Sequence, residues 1–300
     1  MITVPPATRQ PAPSPASSSV RVARRATGAG LGLPPTPPPR HRVRRAILVG
    51  AALAALALAV GAAYVFWPRP ATPITEEDAL AQFRAELADP SLAPATGQIP
   101  AGVYSYAASG EEAVSIGGVP VPSRTVPELV TLVVQPEDGC TRLTLNLMAE
   151  HTESSTYCRD ADGNLVLTRQ AKLQQVAGFT TRGTTECRDG DLGGPGDAPR
   201  AVQCTMVLEV AATTLALDLV GLARWEGADI VDVGGRARAA ELLVLDLTAS
   251  GDLTGHWIER QWLDRELGVP LRIERDIDLD GPGRFVEATD LQLLALTPNR

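Results

Sequence analysis

Lysine is almost missing from this chain: Lys172 stands alone against 26 arginines. Aromatic residues make up only 4% of it, there are 3 histidines, and no acidic residue precedes Glu76. Each shortage removes a class of chemistry. Of the histidines beyond the first 75 residues, His151 and His256, neither belongs to a His-x-x-x-His pair of the kind that holds catalytic zinc on a helix. His256 and Glu259 are three apart in a segment that reads as a strand, so their side chains point to opposite faces. No Gly-x-Ser-x-Gly elbow exists for a serine nucleophile. No glycine-rich loop follows a strand and opens a helix to cradle phosphate. The sequence therefore predicts neither an enzyme nor a cofactor.

What is present is sharply partitioned. Residues 1–39 carry ten prolines among Ser, Ala, Thr and Gly, too little apolar material to bury a core. Residues 1–45 read as a disordered Pro/Arg-rich cytoplasmic tail, in which Pro34–Pro39 would favour polyproline II. From Ala46 to Trp67 run 22 residues with no charge, Asn, Gln or Pro. As a helix this run spans roughly 33 Å, the thickness of a bilayer core. It exceeds the usual secretory h-region, and Tyr64, Phe66 and Trp67 form an interfacial aromatic cluster at its end. Cleavage near Val60-Gly61-Ala62 is the rival reading; an anchor is the expectation. No cysteine lies near the run, so it carries no lipobox.

Charge sets the expected orientation. Eight of the 27 basic residues precede Trp67 with no acidic residue among them, which places the N-terminus in the cytoplasm. The remaining 19 basic residues face 35 acidic ones, so the exported part carries a net charge of −16. Such a domain repels nucleic acid and anionic lipid heads. The membrane, through one span, is an expected partner.

Cys140, Cys158, Cys187 and Cys204 all lie on the exported side. An even number in an oxidising compartment reads as disulfides, with three connectivities open. Cys-x-x-Cys pairs suited to zinc are absent. TRLTLNLMAE followed by TESSTYC folds as a hairpin about residues 149–150, which brings Cys140 opposite Cys158. Cys187 and Cys204 flank a Gly/Asp/Pro-rich loop and meet across its base.

Residues 68–101 read as a linker with one short amphipathic helix over 76–88, capped by Thr75 and Asp78 and striped by Leu80, Phe83 and Leu87. Residues 102–300 then alternate as strands between turn residues such as Asp160–Gly163, Gly234-Gly235 and Gly281–Gly283. The expected fold is mainly β with a little α: an antiparallel meander or half-barrel. Asp276, Asp278, Asp280, Gly281 and Glu287 fit the spacing of a calcium loop. Their flanks alternate as strands, however, so the segment reads first as an acidic hairpin tip and only second as a calcium site.

The hairpin GHWIERQWLDRELGVPLR, Gly255–Arg272, together with the GVYSY opening and the spaced cysteines, resembles uncharacterised single-pass membrane proteins of actinobacteria. The Arg, Ala and Gly bias suits such GC-rich coding. The same hairpin resembles that of lipoprotein-carrier (LolA-like) and mycobacterial lipid-binding half-barrels. That resemblance implies a sheet curled around one helix with an acyl chain held between them, and it transfers no catalytic residue. The implied groove lies between Leu80, Phe83 and Leu87 and the concave sheet. Trp257 and Trp262, an odd spacing apart, face opposite sides, one of them available to the groove. The functional expectation is a membrane-anchored extracytoplasmic binding or sensing module for a lipid or other hydrophobe. The alternative is a structural scaffold that engages envelope proteins without a small ligand.

Overall fold

The computed structural model describes residues 40–66, 70–86, 99–176, 178–210 and 212–300. Of the expected tail over 1–45, residues 1–39 lie outside the described residues, as do Trp67 and Leu87, while residues 40–45 belong to the first helix. The chain falls into two units, residues 1–54 and 55–300.

Helix α1 spans Arg40–Phe66 and has no charge after Arg45. Its side chains are described for residues 48–61, all of them exposed. Among the described residues no helix is long and apolar enough to cross a membrane. Helix α2 spans Glu76–Glu86. It starts where expected: the Asp78 amide donates to Thr75 Oγ1 at 3.1 Å and the Thr75 amide to Asp78 Oδ2 at 3.3 Å, a reciprocal cap.

Fifteen strands follow among the described residues. The first group is β1 (Gly102–Ile116), β2 (Val119–Pro120), β3 (Arg124–Thr125), β4 (Leu129–Glu137), β5 (Cys140–Met148) and β6 (His151–Arg159). Next come β7 (Leu165–Val176), β8 (Phe179–Asp189), β9 (Asp191–Gly193) and β10 (Arg200–Val210). The last are β11 (Thr213–Val233), β12 (Arg236–Gly251), β13 (Thr254–Asp264), β14 (Pro270–Asp280) and β15 (Gly283–Leu293). Twelve of them form an antiparallel meander, β2, β3 and β9 being short additions.

The meander is as expected; its ends are not those of a half-barrel. β1 pairs with β15 from Tyr106↔Leu293 to Ile116↔Gly283, and the sheet closes into a barrel. Closure satisfies both edge strands, which otherwise present unpaired backbone groups. β8 (FTTRGTTECRD) has no apolar alternation and is invisible to hydrophobic patterning, yet it pairs over most of its length with β7 and β10.

Inward residues build two apolar clusters, one around Tyr104, Tyr106, Leu132 and Leu291 and another around Met206, Leu217, Leu245 and Ile277. Along β14 the buried positions run Leu271, Ile273, Arg275, Ile277, Leu279, so an arginine divides the two clusters.

Helix α2 does not occupy the interior. Phe83 and Ala79 pack on Val103 and Val133, which point away from the inward-facing Tyr104, Leu132 and Val134. Arg142 reaches Glu86 at 3.2 Å from the same outer side. The strands fill the interior with their own side chains, which leaves α2 only the convex face to cover.

β11 and β12 are the longest strands, and their hairpin bends at a bulge between Trp225 and Gly227, where Gly227 adopts φ +101°. Its far end lies over the outer side of β13–β15. There Trp262 Nε1 donates to Asp229 Oδ2 at 2.9 Å and Gln292 Nε2 to the Asp232 carbonyl at 2.5 Å.

Candidate functional site

Both expected disulfides are formed. Cys140 and Cys158 bond with Cα atoms 4.3 Å apart, and Cys187 and Cys204 bond at 3.9 Å. The register explains each: Thr141 pairs with Tyr157, next to the first bridge, and Cys187 is paired directly with Cys204.

The other sequence candidates are placed apart. Phe83 is buried and Leu80 half-buried under α2, outside the barrel. Trp257 faces inward with Lys172 Nζ 5.9 Å from its ring centroid. Trp262 faces outward, capped by the β11–β12 hairpin and by Arg272 at 4.9 Å. These residues form no common groove. Asp276 and Asp280 are exposed and Asp278 is ion-paired to Arg284, whereas Glu287 is fully buried on the opposite face of the sheet. The strand alternation that separates them prevents a shared cation.

The barrel interior holds a charged network that hydrophobic patterning could not reveal. Glu112 (β1), His151 and Glu153 (β6), Lys172 (β7), Glu259 (β13), Arg275 (β14) and Glu287 (β15) all point inward, and Arg124 (β3) closes onto Glu112. His151 is wholly buried; its Nδ1 lies 2.7 Å from Glu112 Oε2 and its Nε2 3.0 Å from Glu153 Oε1. Carboxylates at both ring nitrogens favour a proton on each, that is, the imidazolium form. Arg275 Nη1 donates to Glu153 Oε2 at 2.5 Å. Arg275 Nε approaches Glu259 Oε2 at 2.9 Å without hydrogen-bond geometry, so that contact is Coulombic. Lys172 Nζ sits 2.8 Å from Glu153 Oε1 and 3.7 Å from Glu287 Oε2.

Four carboxylates thus meet three permanent cations, and His151 supplies the fourth positive charge. Burial by itself raises Glu112, but the His151 hydrogen bond and the charges of His151, Arg124 and Lys172 prevail and bring its pKa down to about 2. Burial and Lys172 oppose the charge on His151, and the hydrogen bonds to Glu112 and Glu153 overcome them, raising its pKa. His151, Glu153 and Glu287 offer ligand atoms within 4.8 Å of one another, a spacing open to a metal. Lys172 Nζ, reaching both carboxylates, already fills the cation position there.

At the barrel end formed by the start of β5 and the end of β6 lies a cavity of about 550 Å³. Leu143, Leu165, Trp225, Leu263 and Leu267 supply apolar wall, and Tyr157 and Gln261 supply polar groups. Gln261 Nε2 donates to Glu259 Oε1 and, at 3.4 Å, to the Tyr157 hydroxyl. Burial foremost, and the Glu259 charge after it, push the Tyr157 pKa up to about 12. These two side chains tie the cavity to the charged network: Gln261 to Glu259, Glu259 to Arg275, Arg275 to Glu153 and Glu153 to His151. The Cys140–Cys158 bridge forms part of the wall and fixes the β5–β6 side of the mouth.

No family model matches the chain, nor does any curated protein or solved structure.

Proposed function

We propose that this chain is a membrane-anchored, extracytoplasmic binding module of the bacterial envelope that holds a lipid or other small hydrophobe in the barrel-mouth cavity. The observation that carries the reading is the cavity itself: a mainly apolar chamber of about 550 Å³ with a few convergent polar groups, within the roughly 300–1,000 Å³ range of small-ligand sites. The two disulfides support export, since such bonds persist in oxidising compartments. The apolar run Ala46–Trp67 and its preceding arginines support one span with the N-terminus inside. The resemblance of Gly255–Arg272 to lipid-carrying half-barrels points the same way, with the ligand now inside the barrel mouth and not under α2.

The test is native mass spectrometry of the full chain extracted from bacterial membranes, beside a reporter fused after Arg300. A retained apolar molecule and activity of the reporter only in the exported compartment are expected. A chain free of ligand and indifferent to added acyl chains would leave the scaffold as the function.

A further inference from the structure

Among the described residues, the ionised groups around the cavity are paired within the protein, with one exception. Glu241 is paired with Arg265, and both Asp264 and Glu266 are paired with Arg238. Beneath the floor, Glu259 is met by Arg275. Arg159 lies on the rim, exposed, and donates through Nη1 to the Gly163 carbonyl at 2.8 Å. Among the described residues it has no carboxylate within ion-pair distance. Its neighbour Asp160 is engaged by the loop that follows, accepting from the amides of Asp162 and Asn164. A guanidinium keeps its charge at any physiological pH and offers five donors, so most of those on Arg159 are available to an incoming acceptor.

A cation at the lip of an apolar chamber matches one shape of molecule. The geometry points to a single-chain amphiphile with an anionic head: the chain lies along Leu143, Leu165 and Leu263, and a carboxylate or phosphate sits on Arg159 at the rim. This rests on the cavity being the ligand site. The chamber has the size of one drug-like ligand and does not suit a two-chain lipid. The reverse orientation would place an anion beside Gln261, whose amide protons already serve Glu259 and Tyr157. The head therefore stays outside, which also spares it desolvation.

Trp225 lines the chamber and provides a local signal. The full chain in phosphatidylcholine nanodiscs is titrated with undecanoate brominated at its chain end, and with the alcohol of the same chain. Bromine quenches indole, so the quenching lost in Trp225→Phe isolates the cavity. Undecanoate is expected to bind about tenfold tighter than the alcohol, the scale of one charge-assisted contact. Arg159→Gln should remove that advantage without changing the alcohol, and Arg159→Lys should retain part of it. Arg159 is exposed, so these variants leave the fold intact. Equal binding of acid and alcohol, or an unchanged acid affinity in Arg159→Gln, would overturn the anionic head while leaving the cavity as a hydrophobe site. No Trp225-dependent quenching by either probe would overturn both readings.

Discussion

Glu112 and Glu287 stand directly opposite each other across the seam that closes the barrel, and both are buried. Like charges at directly paired positions repel. The closure holds because cations from other strands reach the pair: His151 and Arg124 at Glu112, Lys172 and Arg275 at Glu287. The first and last strands are therefore joined through side chains of β3, β6, β7 and β14 as well as by their backbone ladder. Removing one partner leaves an uncompensated buried charge, a loss of about 3–5 kcal/mol. Arg275→Met is expected to fall in that range by urea unfolding, because Glu153, Glu259 and Glu287 all lean on it. A variant within 1 kcal/mol of the parent, on the order of a surface change, would show that the network does not hold the seam.

Acid acts on this network through Glu112. Its pKa in the folded chain is about 2, below its ordinary 4.5, so its contribution is present above about pH 4.5 and fades as the pH falls toward 2. The shift corresponds to something on the order of 3 kcal/mol. Glu153 is likewise held low against its burial, chiefly by Arg275 and then Lys172, and adds in the same direction. Unfolding monitored from pH 6 to pH 2 should show stability dropping across that window. A flat profile would contradict the ion pairing.

Base acts through His151, with the opposite sign. Its pKa is raised above 6.5 by Glu112 and Glu153, against burial and Lys172, so its contribution is full below that value and is lost as the pH rises through the folded pKa. Glu112→Gln leaves three carboxylates facing Arg124, Lys172 and Arg275, so the balance no longer calls for a charged ring. The ring proton resonances of His151 should then titrate at lower pH than in the parent, and the alkaline loss of stability should shrink. An unmoved His151 titration would disprove the charge-balance account.

The meander, its turns and both cysteine pairings were legible because they rest on local signals: alternation, glycine-rich turns and hairpin register. The β5–β6 hairpin shows how far these reach, since folding TRLTLNLMAE onto TESSTYC was enough to bring Cys140 to Cys158. Closure was not legible, because the β1–β15 pairing joins residues 187 apart, Tyr106 to Leu293. The charged interior was hidden for a related reason. HTESSTYC alternates polar with polar, so the inward set His151, Glu153, Ser155 and Tyr157 looks no different from a solvent face. Trp262 shows the limit from the other side: its outward direction follows from strand period, but its burial depends on a hairpin folding back from β11 and β12.

The two disulfides differ in position: Cys140 and Cys158 line the mouth, whereas Cys187 and Cys204 join β8 to β10 without lining it. Each closes a loop, with sequence separations of 18 and 17; in the chain-entropy model such a loop contributes about 3 kcal/mol. The double change Cys187→Ser with Cys204→Ser is expected to lower stability by about that amount in thermal unfolding. The Cys140→Ser, Cys158→Ser pair should in addition loosen the cavity wall, so retention of a bound chain should fall further than stability alone accounts for. Equal effects of the two pairs on retention would show that the first bridge has no special place in the site.

Phe83 separates an outer helix from a ligand-bearing one. It is 4% exposed and packs with Ala79 on Val103 and Val133, on the convex face of the sheet. Phe83→Ala should therefore cost about 3 kcal/mol, the low end for a buried phenylalanine, because α2 covers the barrel without building its interior. The cavity lies on the other side of the sheet, lined by Leu143 and Leu263 among others, and shares no residue with α2. Urea unfolding and acyl-chain binding measured on the same variant should give lower stability with unchanged affinity. A loss of affinity at full stability would return the ligand to the space beneath the helix.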